Sequence, residues 1–236
     1  MQNPDEIDRI KEVYSTVYQP DPMDLTYVWH PRNPISIYFR QAQERALVKL
    51  FNKYNLPIEG MQILDVGCGN GSFLRFIASL GTPPVNLNGV DLMPQRIEQA
   101  QILCPAQIDL RVGNAEALPY SDRFFDLVSQ FTVFSSILDM KVRERVAQEM
   151  LRVLKPGGYI LWYDMRISRS ANTRGIDTDE ILELFPRTVI LTLRGLHPLR
   201  ATQIAKISPY LCDLLDLVPG LRKTHYLGLF QKVEQV

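Results

Sequence analysis

Two hydrophobic rhythms take turns along this chain. Short apolar runs rich in β-branched and aromatic residues occupy positions 63–66, 87–91, 108–112, 124–130, 159–165, 187–194 and 224–232, and predict seven strands. Segments with three-to-four-residue spacing lie between them, at 72–78, 94–103, 141–154 and 178–185, and predict helices. Residues 199–217 also read as mostly helical, broken near Pro209. Two helices precede the first strand. Asn3-Pro4-Asp5-Glu6 reads as a cap, a proline at the first helical position and two first-turn acids, opening a helix to about Tyr18. Asn33-Pro34 repeats the signal for a helix through Tyr54, with Ala42, Ala46, Leu47, Leu50 and Phe51 on its apolar face. Strands alternating with helices predict an α/β fold with a doubly wound, mostly parallel sheet.

One stretch carries the chemistry. The run Ile63-Leu64-Asp65-Val66 breaks at glycines on alternate positions, Gly67, Gly69 and Gly71, and continues into a helical pattern from Ser72. Strand, glycine turn and helix bring backbone N–H groups against a ligand. Ser72 stands where the dinucleotide fingerprint needs its third glycine, so that fingerprint is not met. A carboxylate at Asp65 disfavours a pyrophosphate and suits a cationic or amino-bearing ligand. Asp91 ends the second strand about 20 residues after Gly71, where nucleoside-binding folds place the acid that holds ribose hydroxyls.

The 236 residues suffice for one sizeable core and are short for two. Lys+Arg and Asp+Glu balance at 26 each, which gives no pull towards nucleic acid. Cys68, Cys104 and Cys212 show no metal-ligand spacing, and this sparse, odd set fits a reducing cytoplasm. The first residues are polar and acidic, unlike a signal peptide, and no apolar run approaches the roughly 20 residues of a membrane span. The expected location is cytoplasmic.

Residues 64–71, Leu-Asp-Val-Gly-Cys-Gly-Asn-Gly, resemble the first motif of class I S-adenosylmethionine-dependent methyltransferases. Asp91, the stretch from Gly113 to Pro119, Phe125-Asp126-Leu127-Val128 and Leu151-Arg152-Val153-Leu154-Lys155-Pro156-Gly157-Gly158 follow in that family's order. The resemblance implies one Rossmann-like methyltransferase domain of seven strands, the last antiparallel. It divides into a helical cap over 1–60, an S-adenosylmethionine-binding core over 61–166 and a substrate side over 167–236. It also implies that Gly67 and Gly69 line the methionine end, Asp91 meets the ribose, Asn114 and Ala115 meet the adenine, and Gln130 lies under the sulfonium. Asp65, Cys68 and Leu92 complete the expected cofactor-binding set. Family members often carry Asp at the position of Asn114, whose carbonyl can still accept a hydrogen bond.

The donor is already activated, so a base is needed only for an acceptor that must lose a proton. His30, between Trp29 and Pro31 in an aromatic loop over 19–34, and Asp164, at the end of the fifth strand, are the candidate bases. The aromatic loop reads as a plug on the core or a lid over the ligand. His197 reads as structural, and His225 is expected to face away. Arg166, Arg169, Arg174, Arg187, Arg194 and Arg200 form a solvated face or receive an anionic acceptor. Residues 210–218 are amphipathic, with Asp213 and Asp216 opposite the leucines. They are expected to cover the core; the lesser alternatives are an apolar substrate wall or peripheral membrane contact, the acids disfavouring the latter. No Asp/Asn cluster follows the fourth strand to hold a metal, and no base-amino methylation signature appears there. The expected function is metal-independent O-methylation of a small molecule, such as a sugar or glycan precursor or a secondary metabolite. The rivals are a quinone-type carbon methyltransferase, a non-catalytic S-adenosylmethionine-binding module and, disfavoured by Ser72 and Asp65, a nicotinamide oxidoreductase.

Overall fold

A computed structural model describes residues 4–16, 30–168, 170–218 and 220–233. The expected cap Asn3, most of the aromatic loop and Arg169 lie outside the described residues. Two helices come first, α1 (Pro4–Thr16) and α2 (Pro34–Tyr54), the second capped by the Asn33 side chain accepting from Ile35 N. Then follow β1 (Ile63–Val66), α3 (Ser72–Ser79), β2 (Leu87–Asp91), α4 (Pro94–Leu103), β3 (Asp109–Val112) and β4 (Phe125–Phe131). After them come α5 (Met140–Val153), β5 (Leu154–Met165), α6 (Thr178–Leu184), β6 (Thr188–Pro198), α7 (Ala201–Ile207), α8 (Pro209–Asp216) and β7 (Lys223–Lys232).

The seven strands form one sheet in the order β3-β2-β1-β4-β5-β7-β6. The first five are parallel, and β7 runs antiparallel between β5 and β6. The order reverses between β1 and β4, so their carboxyl ends diverge there and leave a crevice. β1 is buried along its whole length, as a central parallel strand must be. One apolar layer joins α5 and α6 to one face of the sheet through Val146, Met150, Trp162 and Phe185. A second joins α2 and α3 to the other through Leu47, Phe51, Leu74 and Leu161.

Two expectations need correction. β5 starts at Leu154, earlier than expected, because Leu154 pairs with Phe125 and the register then shifts before Leu127 meets Tyr159; Lys155-Pro156-Gly157-Gly158 is a bulged entry into the strand. α8 does not cover the core with its leucines: among its residues only Cys212 is fully buried. Among the described residues no helix is long and apolar enough to cross a membrane.

Candidate active site

The glycine turn after β1 is built by backbone geometry. Gly67 N and Cys68 N both donate to Val90 O, at 2.8 and 3.0 Å, tying the turn to the end of β2. Gly67, Gly69 and Gly71 all have left-handed φ, at +69°, +54° and +75°. A Cβ on Gly67 would overlap the Val133 methyl, and one on Gly71 would overlap Cys104 Sγ. A Cβ on Gly69 would meet nothing within 4 Å, because that glycine faces open space.

The open space is a cleft of about 250 Å³ at the reversal of strand order. It brings together six of the expected positions: Gly67, Gly69, Asp91, Leu92, Asn114 and Ala115. Asp91 Oδ2 accepts from Gly69 N at 2.8 Å and Oδ1 from Met93 N at 2.9 Å, so one carboxylate fixes both the glycine turn and the start of α4. Each oxygen keeps a second lone pair for a ligand hydroxyl. Burial raises the Asp91 pKa, against the two N–H bonds and the Arg96 charge. Asn114 Oδ1 accepts from Glu116 N at 3.0 Å and likewise keeps a lone pair. Glu116 in turn pairs with Arg145.

The other expected cofactor positions do not line the cleft. Asp65 is buried on β1 and accepts from Ser129 Oγ at 2.8 Å, one strand across in register. Burial pushes its pKa up to about 8, the Ser129 bond opposing and the Asp91 charge reinforcing the shift. Cys68 points into the core beneath Gly89. Gln130 is fully buried; its Oε1 accepts from Val133 N at 3.0 Å and its Nε2 donates to Tyr163 O at 3.4 Å.

Gln130 thereby braces the turn that the motif reading overlooked. Phe131, Thr132 and Val133 leave β4 along the cleft wall, with Thr132 at φ +58°, a conformation uncommon for a β-branched residue. Thr132 N donates to Tyr163 O at 2.8 Å. Asp164 holds the next turn: its Oδ2 accepts from Phe134 N and Ser135 N at 3.0 and 3.2 Å, and its Oδ1 from Met165 N at 2.7 Å. Burial raises its pKa to about 6 against those bonds. Asp164 is absent from the cleft wall, and its oxygens are already engaged by backbone N–H groups. His30, the other expected base, is buried ahead of α2 and its Nδ1 accepts from Arg32 N; it too is absent from the cleft wall.

The cleft's outer wall is α1, through Ile7, Ile10 and Tyr14. Their three-and-four spacing was visible in the sequence, but nothing there distinguished a cleft wall from a core face. Polar contacts latch the helix. Glu6 Oε1 accepts from Leu138 N at 2.6 Å, Arg9 Nη2 donates to Ser136 O at 2.6 Å, and Tyr14 Oη lies 3.1 Å from Ser136 Oγ. Burial alone would raise the Glu6 pKa, but Arg9 and the backbone N–H groups outweigh it and lower it.

Beyond Phe131 lies a buried aromatic group. Tyr163 Oη meets His197 Nε2 at 2.8 Å, and His225 stacks on the Tyr163 ring at 5.1 Å. His197 is structural, as expected. His225 does not line the cleft, and α2 covers it through Phe39. Burial drives the His197 pKa well below its usual value and His225 to about 4, so both stay neutral. Arg174 pairs with Glu180, and Arg166 lies over the Tyr226 ring, so these two arginines are engaged internally.

Comparison with known proteins fits this geometry. The model of the family described as "Methyltransferase domain" matches residues 64–162. A ubiquinone biosynthesis O-methyltransferase of Chelativorans sp. is 30% identical over 164 residues, covering 67% of this chain and 62% of that protein. A 2-methyl-6-phytyl-1,4-hydroquinone methyltransferase of Synechocystis sp. is 35% identical over 107 residues, covering 44% and 32%. The chain thus spans less than two thirds of the length of either relative. The crystal structure of an S-adenosylmethionine-dependent methyltransferase from Mesorhizobium loti shares the fold, with TM-score 0.60 and 20% identity over 81% of this chain and 98% of that one. The chain belongs to the class I S-adenosylmethionine-dependent methyltransferases.

Proposed function

We propose that this protein transfers a methyl group from S-adenosylmethionine to a hydroxyl oxygen of a small phenolic acceptor of the quinol type. The observation that carries the donor assignment is Asp91, a carboxylate on the cleft wall whose two oxygens each hold one backbone N–H and can each accept from a ribose hydroxyl. Asn114 and Ala115 would meet the adenine, and Gly67 and Gly69 the methionine end. When bound, the donor supplies an electrophilic methyl on a sulfonium, a group activated before it meets the protein. The chain's own work is alignment and exclusion of water. Gln130 and Asp164 act as positioning residues, holding the left-handed turn at Thr132 from behind. α1 covers the cleft from outside.

What the wall offers supports the acceptor class. Among the described lining residues the titratable groups are Asp91, Arg96 and Tyr14, with no histidine. Asp91 is committed to the ribose, so among the described lining residues no strong base serves the acceptor. A phenol, with a pKa near about 10 as in tyrosine, gives up its proton far more readily than a sugar alcohol. The names of the Chelativorans and Synechocystis relatives, one for O-methylation in ubiquinone biosynthesis and one for a hydroquinone, support the same class. The test supplies purified protein and donor with a demethylated quinol, a catechol and a hydroxylated sugar. Methyl ethers on the first two and none on the sugar are expected. Turnover of the sugar alone would overturn the phenolic reading, and a carbon-methylated quinol would favour the rival carbon methyltransferase.

A further inference from the structure

α8 is amphipathic, and its polarity is inverted for a core helix. Cys212, Leu215 and Asp216 share the inner side, and only Cys212 is fully buried. On the opposite side Tyr210, Leu214 and Leu217, at i, i+4 and i+7, are 82%, 60% and 74% exposed. Ile207, at the end of α7, is 84% exposed, and Val218 and Leu221 extend the patch beyond α8. Single exposed apolar side chains are ordinary, but seven over 15 positions, from Ile207 to Leu221 with Leu211 among them, are not.

Charge decides what this face fits. The acids that disfavoured a membrane in the sequence are both neutralised within the fold. Asp213 accepts from Arg45 at 2.6 Å, and Asp216 pairs with Lys223 at 3.2 Å. Arg200, Lys206 and Arg222 remain exposed and, among the described residues, form no ion pair with an acid. Lys206 adjoins Ile207 and Arg222 adjoins Leu221, while Leu199 N donates to Arg222 O and so brings Arg200 to the same rim. An apolar patch rimmed by three uncompensated cations matches an anionic lipid surface, with hydrocarbon for the leucines and headgroup charge for the rim. A second copy of the chain would bring the same cations face to face.

We propose that the face formed by Ile207, Tyr210, Leu214, Leu217, Val218 and Leu221 docks this protein on an anionic lipid bilayer. The docking stands on this surface alone and does not rest on the acceptor reading. It bears on that reading through position. Asp216 pairs with Lys223, Lys223 lies opposite Pro198 at the end of β6, the adjoining His197 meets Tyr163, and Tyr163 O receives Thr132 N from the cleft wall. The face therefore follows strand ends at the same sheet edge as the cleft.

The test is co-sedimentation of the full chain with vesicles of phosphatidylglycerol and phosphatidylcholine in equal parts, and with phosphatidylcholine alone. Wild type is expected to sediment with the mixed vesicles and to be released by salt. Leu214→Ser with Leu217→Ser should lower partitioning by roughly tenfold per leucine. Lys206→Gln and Arg222→Gln should each lower it about fivefold. Titration of every variant with S-adenosylhomocysteine, in the absence of vesicles, should give the wild-type affinity and so show an intact fold. Wild type remaining in the supernatant with the mixed vesicles would overturn the proposal. So would a wild-type dimer that Leu214→Ser with Leu217→Ser converts to monomer while vesicle binding is absent, because the face would then join two copies.

Discussion

Gly67 and Gly69 share a left-handed backbone but differ in what a side chain would meet, so alanine at each should fail in a different way. At Gly69 the added Cβ has open space, and the free protein bears only the cost of a left-handed alanine, about 1–2 kcal/mol. In a domain of this size that lowers Tm by roughly 2–8 °C. The methyl would nevertheless stand in the cleft that Gly69 lines, so donor affinity should fall by at least about tenfold. At Gly67 the same backbone cost is joined by overlap with the Val133 methyl, closer than 3.0 Å, and overpacking adds about 1–3 kcal/mol. Gly67→Ala should therefore lose stability with or without ligand, by about twice as much as Gly69→Ala. Thermal unfolding monitored by circular dichroism, beside calorimetric titration with S-adenosylhomocysteine, reads both quantities. A Gly69→Ala protein that binds the ligand as wild type does would refute the placement of the donor over Gly69.

Further predictions follow from the same contacts. Asp91→Asn keeps one acceptor oxygen but loses the charge, and should weaken S-adenosylhomocysteine binding by roughly thirtyfold, about 2 kcal/mol, in the same titration. Glu6→Gln should loosen α1 at Leu138 and Arg9, seen as faster amide exchange over residues 4–16 and faster ligand release in stopped flow. The folded Glu6 pKa is lowered, so its contribution to stability is present above the usual value of 4.5 and is lost as pH falls through the folded value. The sign reverses at Asp65. Its folded pKa of about 8 lies above the usual 3.8, so stability falls as pH rises between those values. The Tm of Asp65→Asn relative to wild type should then climb across that window in thermal unfolding scans.

The strands of the core could be read from the sequence because each is an apolar run closed by a turn signal, and the glycine turn because three glycines on alternate positions have few other uses. Asp91 was legible for a related reason: its distance from Gly71 is set by the length of a strand–helix unit. The expected residues that do not line the cleft share a different cause. Gln130 and Asp164 stand at strand ends where ligands bind, and a sequence shows the residue type there but not its partner. In the fold Val133 N claims one and Phe134 N and Ser135 N the other, so both serve the backbone. Asp65 was read as facing the ligand because it stands at the mouth of the glycine turn, two residues before Gly67, yet strand register sets it against Ser129. The early start of β5 was hidden because Lys155-Pro156-Gly157-Gly158 carries the residues of a turn, and only pairing with Phe125 makes it a bulged strand. The α8 leucines have the spacing of a core helix, and only the tertiary arrangement turns them outward.

The central claim is that the cleft beside Asp91 holds the methyl donor. It is tested most directly by calorimetric titration of the wild-type protein and Asp91→Asn with S-adenosylmethionine and S-adenosylhomocysteine. Micromolar binding of both ligands to wild type is expected, weakened roughly thirtyfold in a variant that remains folded. Wild-type protein that takes up neither ligand, or an Asp91→Asn protein that binds them equally well, would contradict it.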